Sequence, residues 1–169
     1  MPGTIGRQAL TNSPDMCTTY KTGAANRPHS RGMTSFPTKI AVLLRDDLAT
    51  WQRLNATAFL VSGIAGAQPE LLGADYADAD DNRYLPMFGQ PVMVFETNAE
   101  TLSAARRRAV DRGVACAVFI EEMFKTGNDD DNRAAVRLFS GPDLRLVGIA
   151  VHGPKNGVDR ILKGSRLHG

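Results

Sequence analysis

The chain has 169 residues, 43% hydrophobic, 22% charged and 7% aromatic, which is the makeup of one ordinary globular domain and excludes disordered, fibrous and membrane-embedded classes. Net charge is +2, but residues 1–38 hold four Lys or Arg against one Asp, so residues 39–169, with sixteen against seventeen, carry −1 and lack the strong basic field of a dedicated nucleic-acid binder. Two distant cysteines, Cys17 and Cys116, exclude a disulfide framework or cysteine metal motif and fit a reducing cytoplasm, while no apolar run nears the ~20 residues of a membrane span and no leader-type apolar segment opens the chain.

Residues 1–37 are rich in Thr, Ser, Gly, Pro and Asn without apolar periodicity, and they read as a disordered or loosely attached tail. Met33, just before the first strand, leaves open a start at that methionine, and the scattered arginines leave open a basic arm. Lys39-Ile-Ala-Val-Leu-Leu44 then reads as a buried strand, Arg45-Asp46-Asp47-Leu48 as a charged turn, and Trp51, Leu54, Ala58, Val61 and Ala65 as the inward stripe of a helix from about Thr50. That helix stays apolar or small on nearly every side to Gly66, as expected of one covered on most sides. Asn55 is its odd polar group, either a buried amide bonded to a neighbouring loop or a ligand contact.

Residues 67–90 read as a solvated irregular excursion. Asp75, Asp78, Asp80 and Asp81 approach the spacing of a calcium loop, but Arg83 stands where glycine is required and Gly89 where glutamate is. No metal site is assigned here or elsewhere. After the strand Val92–Glu96, Thr97-Asn98-Ala99-Glu100 forms a capping box, and Leu102, Ala105, Ala109 and Val110 make the inward stripe of a helix ended by Gly113. Arg106, Arg107 and Arg108 spread over about 200° of that helix and read as a solvated face instead of an RNA stripe.

Val114–Ile120 is the next buried strand, with Cys116 a small core residue. It opens into Glu121-Glu122-Met-Phe-Lys125-Thr126. Asn128 or Asp129 caps a helix to about Phe139, which accounts for the acidic residues from Asp129 onward but not for Glu121, Glu122, Lys125 or Thr126. Gly141-Pro142 breaks the chain before a strand Leu144–Val151, and a last helix turns Val158, Ile161 and Leu162 inward. Pro154 suits its first position. The free amides beside Lys155 make either a plain turn or an anion site, and His152 is either structural or a base.

Strand and helix alternate four times, which predicts one α/β domain over residues 38–168. If the first, third and fourth strands are parallel, their carboxyl ends gather Arg45, Asp46, Glu121, Glu122, Lys125, Thr126, His152 and Lys155 at one rim, with Asn55 facing it from the first helix. Such a rim suits a small anionic ligand. Glu122 is the candidate general base, Lys125 or Arg45 the oxyanion partner, and Thr126 the group orienting water or substrate. Because no nucleophile–base pair is visible, binding is favoured over a hydrolase. No cofactor is called for, neither nucleic acid nor membrane is an expected partner, and a homodimer stays open.

Several separate stretches carry a resemblance. Trp51-Gln-Arg-Leu-Asn-Ala-Thr-Ala-Phe-Leu, Tyr84-Leu-Pro-Met-Phe with Gln90-Pro91-Val92, Glu121-Glu122-Met-Phe-Lys-Thr-Gly, Asn132-Arg-Ala-Ala-Val and Leu146-Val-Gly-Ile-Ala-Val-His-Gly-Pro look like the domain-of-unknown-function 2000 family, over about Lys39 to His168. More distantly, the chain is similar to class II peptidyl-tRNA hydrolases through Arg45, Asp47 and Leu48 after the first strand, Gly89-Gln90-Pro91 before the second, and Glu122 and Thr126 after the third. That resemblance implies a three-layer sandwich around a four-stranded mixed sheet. The catalytic part departs from it. Ala49-Thr-Trp-Gln-Arg-Leu54 replaces a lysine- and glycine-rich turn, Ala58 and Val61 replace a glutamine and a histidine, and Glu122 replaces an aspartate, so peptidyl-tRNA hydrolysis is not expected.

Overall fold

The run Ile40–Leu44 is 0–1% exposed because its strand has neighbours on both edges. The structure, a computed structural model, describes residues 35–169; the expectations for residues 1–34, including Met33 and Cys17, lie outside the described residues. Strand β1 (Thr38–Arg45) is followed by α1 (Thr50–Ala67), a hairpin of β2 (Tyr76–Ala77) and β3 (Arg83–Tyr84), and β4 (Val92–Thr97). Then come α2 (Ala99–Asp111), β5 (Cys116–Ile120), a 3₁₀ turn (Glu121–Lys125), α3 (Asp129–Arg137), β6 (Leu146–Pro154), α4 (Lys155–Ile161) and β7 (Arg166–Leu167).

The main sheet has five strands in the order β5-β6-β1-β4-β7, one more than the four expected, because β7 adds a two-residue edge opposite Phe95 and Glu96. Strand β4 lies parallel to β1, whereas β6 lies antiparallel to both β1 and β5. Thus β1, β4 and β5 share one direction, and the expectation that the fourth apolar run joins them is corrected.

Alternation along β1 separates two cores. Ile40, Val42 and Leu44 pack with Ala56, Leu60 and Ile64 of α1, while Ala41 and Leu43 face Leu102, Ala105 and Ala109 of α2 and Val158 and Ile161 of α4. The stripe of α1 is therefore Ala56, Leu60 and Ile64, at spacing i, i+4, i+8, and not the one expected; Trp51 is 60% and Leu54 68% exposed. The helix is covered on one side only. Gly148 allows that close packing, since a Cβ there would lie 2.8 Å from Leu44 Cδ2 and 3.0 Å from Leu60 Cδ1.

The second helix starts one residue later than the expected capping box of Thr97 and Glu100 would place it: Asn98 is the cap, accepting from Thr101 N at 2.9 Å, while Thr97 ends β4, and Gly113 follows the helix end at φ +63°. Val110 is exposed, so it leaves the inward stripe. Arg108 is not a solvated group, because it donates to Ile161 O at 2.7 Å and Lys163 O at 3.0 Å at the end of α4, where a cation complements the helix dipole. Residues 67–90 form the exposed, mostly irregular excursion expected, tied together by specific bonds. Gly73 N donates to Met87 O and Gly89 N to Leu71 O, both at 2.8 Å, and the Asp78 carboxylate accepts from Asp80 N, Asn82 N, Asn82 Nδ2 and Tyr84 Oη. These bonds, that from the Asn82 side chain above all, pull its pKa down to about 2. Among the described residues no helix is long and apolar enough to cross a membrane, and no three His, Cys, Asp or Glu are grouped to hold a metal ion.

Candidate functional site

The common direction of β1, β4 and β5 brings the carboxyl ends of β1 and β5 to one rim, and the antiparallel β6 sends its first residues there, not its last. An irregularity in β6 decides which of them reach it. Phe119 pairs with Gly148 but Ile120 with Leu146, so Val147 is the extra residue of a β-bulge. The bulge reverses the alternation: Ile149 and Val151 face α2 and α4, while Val147 faces α1. Arg145, two residues before Val147, is thereby carried to the α1 side, where the first turn of that helix presents Trp51 and Gln52.

There a cavity of about 300 Å³ opens, lined by Arg45, Trp51, Gln52, Glu121, Glu122, Phe124, Lys125 and Arg145. Arg45 donates from Nη1 to Glu121 Oε1 at 2.6 Å and from Nε to Asp47 Oδ1 at 2.5 Å. Burial pulls the pKa of its guanidinium down, and the bonds to Glu121 and Asp47 outweigh that and hold it above its ordinary value. Arg145 is hydrogen-bonded through Nη2 to Glu122 Oε1 and lies 3.9 Å from Glu121 Oε2. The other Glu122 oxygen, Oε2, is buried and has no hydrogen-bond partner. Lys125 is exposed and makes no ion pair among the described residues. Trp51 meets the Phe124 ring edge-on at 5.2 Å, and Phe124 leans on the buried Phe119 at 5.0 Å.

Of the residues expected at the rim, the cavity gathers Arg45, Glu121, Glu122 and Lys125. Asp46 lies at the same end of the sheet but turns to Arg166, with Nη2 at 3.8 Å. The Thr126 hydroxyl is bonded within its own segment, 2.9 Å from Met123 O and close to Asn132 Oδ1, so it fastens the 3₁₀ turn to α3 and does not line the cavity. Asn55 is exposed on α1, which corrects the reading of it as a buried amide, and it does not line this cavity. His152 and Lys155 sit at the opposite end of the sheet, because β6 runs the other way: His152 pairs with Ile40 at the start of β1, and Lys155 N donates to Pro37 O at 3.2 Å. Burial lowers the His152 pKa against a weaker upward pull from Glu70. Trp51, Gln52, Phe124 and Arg145 were not anticipated as site residues, Trp51 because it was read as part of the inward stripe of α1, and for Arg145 the bulge that aims it leaves no mark in the sequence.

Beside the cavity, Glu96 accepts from Arg166 Nε at Oε1 and Arg53 Nη1 at Oε2, both at 2.9 Å. Arg53 also donates to Leu48 O at 3.0 Å and Asp46 O at 2.5 Å, and its Nη1 lies 3.0 Å from His168 Nε2. This network stitches α1, β4 and β7 together.

A solved structure of a protein of unknown function from Agrobacterium tumefaciens strain C58 is similar to this chain, at 44% sequence identity and a TM-score of 0.78, covering 80% of this chain and 100% of that one. No functionally curated protein matches. Residues 38–169 match the family described as Protein of unknown function (DUF2000), and the chain belongs to that family.

Proposed function

We propose that the protein binds a small molecule through an anionic group in the cavity between α1, the 3₁₀ turn and the bulged start of β6, on a fold related to that of class II peptidyl-tRNA hydrolases and in the cytoplasm. The observation that carries this reading is the state of the three cations there. Arg45 is bonded to Glu121 and Asp47, and Arg145 to Glu122, whereas Lys125 makes no ion pair among the described residues. One cation in a ligand-sized cavity with an aromatic wall is thus left without a direct partner. Native mass spectrometry of the purified chain tests this. A small acidic metabolite should co-purify with the parent and be lost from Lys125→Ala; a ligand retained equally by both would overturn it.

A second reading rests on Glu122 Oε2, an acceptor that nothing in the protein fills. Glu122 lines the cavity, and a carboxylate on that wall would take a proton from a water admitted beside it, with Lys125 next to a developing oxyanion, as a hydrolase requires. Peptidyl-tRNA is not its substrate in this reading, since Ala58 and Val61 offer no proton carrier and the near-neutral folded part has little purchase on a polyanion. Incubation of the chain with peptidyl-tRNA should release no tRNA over hours. Turnover that disappears in Glu122→Gln would replace the binding reading by the hydrolytic one.

A further inference from the structure

We infer that the protein is a two-fold homodimer joined through the outward face of α1, with Leu54 of each protomer seated in the apolar groove beside Ser62 of its partner. This goes beyond the ligand reading above and does not depend on it.

The first observation is a helix that the domain leaves half covered. Over Thr50–Ala67 the only charged residue is Arg53, and its guanidinium is turned back to Glu96 and to the carbonyls of Asp46 and Leu48. Ala56, Leu60 and Ile64 pack with β1. The opposite side, through Trp51, Leu54, Asn55, Ala58, Ser62 and Gly66, is exposed and holds no charge. Even the Ser62 hydroxyl is spent within the helix, donated to Phe59 O at 2.7 Å. A surface helix ordinarily turns charged residues outward, whereas one that is apolar all round is covered all round.

The second is area. Ala58, Val61, Ser62 and Ala65 of α1 face Leu72 and Met87 of the excursion across a groove of about 480 Å³. Trp51, Leu54, Phe59, Leu72, Tyr76 and Met87, on the helix and around that groove, are each 37–68% exposed. For large side chains that present roughly 150–250 Å² when uncovered, this is on the order of 600 Å², the upper end of what a monomer leaves open. With the small residues between them, the face nears the ~800 Å² that each partner brings to a stable dimer.

The third is self-complementarity, which a two-fold contact requires. Leu54 stands on the face as a knob, and the groove along Ala58–Ala65 is a hollow on the same face, starting one turn further on. A two-fold axis at Ala58, with the two α1 helices antiparallel, carries Leu54 onto Ser62 and Trp51 onto Ala65 of the partner. A charge near such an axis would meet its own image, and this face has none. Residues 1–34 offer no apolar periodicity with which to cover it, and lying on a membrane would call for Lys or Arg along its border.

Sedimentation velocity of the full chain at about 50 µM should give twice the 18.2 kDa of one chain. Leu54→Glu and Ser62→Lys each place an unpaired charge in the contact and should weaken the dimer at least about tenfold. Val110→Glu, at a residue 58% exposed on α2, should leave it unchanged. The first two substitutions combined in one chain should restore the dimer, because each new carboxylate meets the new ammonium of its partner. Within one chain the two positions lie about 12 Å apart along the helix, too far to pair, and a chain that had failed to fold would not be rescued by a second charge. A parent that is monomeric at this concentration overturns the inference and leaves the face to another protein. A dimer that survives Leu54→Glu also overturns it, by putting the contact elsewhere. Loss of the dimer in both single variants without recovery in the double one would overturn the antiparallel register.

Discussion

Two arginine–glutamate networks stand at the carboxyl end of β1, built from the same residue types and put to different uses. In the one around Glu96, both carboxylate oxygens are filled, by Arg166 and Arg53, and Arg53 spends its remaining donors on backbone carbonyls. In the one around Glu122, one oxygen is held by Arg145 and the other by nothing, and the neighbouring Lys125 has no counter-ion among the described residues. The closed network joins elements; the open one is where the ligand proposed above would bind. Counting filled valences separates the two networks where composition does not.

The comparison breaks most readily at Arg53. Its side chain is 23% exposed and Glu96 14%, so Arg53→Ala strands a shielded carboxylate oxygen and two carbonyls and should cost about 2–4 kcal/mol of stability in urea unfolding. A loss below about 1 kcal/mol would mean that the closed network does not hold the fold.

A smaller effect concerns pH. Burial pushes the Glu96 pKa up, but the hydrogen bond and charge of Arg166, with His168 and Arg53, outweigh it and hold the carboxyl below its ordinary value of 4.5. A carboxyl depressed in the folded state contributes stability that is fully present above its unfolded value and is lost as pH falls through the folded one. Melting temperature should therefore fall more steeply below about pH 4.5 in the parent than in Glu96→Gln. Parallel curves for the two proteins would remove Glu96 from the account of acid sensitivity.

The smallest expected change sharpens the contrast from the other side. Glu122→Gln keeps the shape of the side chain, and its partner Arg145 is 59% exposed, so the lost pair should alter stability by no more than about 1 kcal/mol. The same urea experiment that reveals Arg53 should hardly register Glu122. A large loss there would make the second network structural too.

Much of this arrangement was legible from residues alone. The runs Lys39–Leu44, Val92–Glu96 and Val114–Ile120 became strands, the last only from Cys116, because continuous apolar segments bounded by turn residues have few other places to go, and Asn98, Gly113 and Asn128 set helix ends through side-chain and backbone chemistry that is local. Direction was not legible. Leu146–Val151 is apolar on both faces, and an apolar run reads the same for either orientation, so His152 and Lys155 were expected at an end of the sheet they do not occupy. The phase of α1 failed for a related reason. With Trp51, Leu54 and Phe59 exposed and Ala56, Leu60 and Ile64 buried, both faces carry apolar groups and periodicity cannot choose between them. Strand β7 is two residues long and has no alternation to read. Within the site, Glu121, Glu122 and Lys125 were found because helix capping did not explain them, an argument that also selected Thr126, which does not line the cavity, and Arg45 was found because it ends the first strand, whereas Arg145 depended on a bulge that only pairing partners disclose.

The position of β1 also governs how the chain is made. It is synthesised before any other strand of its sheet, yet its partners are residues 92–97 on one edge and 146–154 on the other, so one edge of the most hydrophobic segment stays unpaired until nearly the whole domain has left the ribosome. Contacts of such sequence separation form slowly, and an open apolar edge in the meantime is where nascent chains associate wrongly. Lys39 and Arg45, at the two ends of Ile40–Leu44, place a like charge on each side of that segment, which keeps neighbouring copies apart during the wait. The arginine that later joins the cavity thus has an earlier task in translation, guarding the strand that it ends.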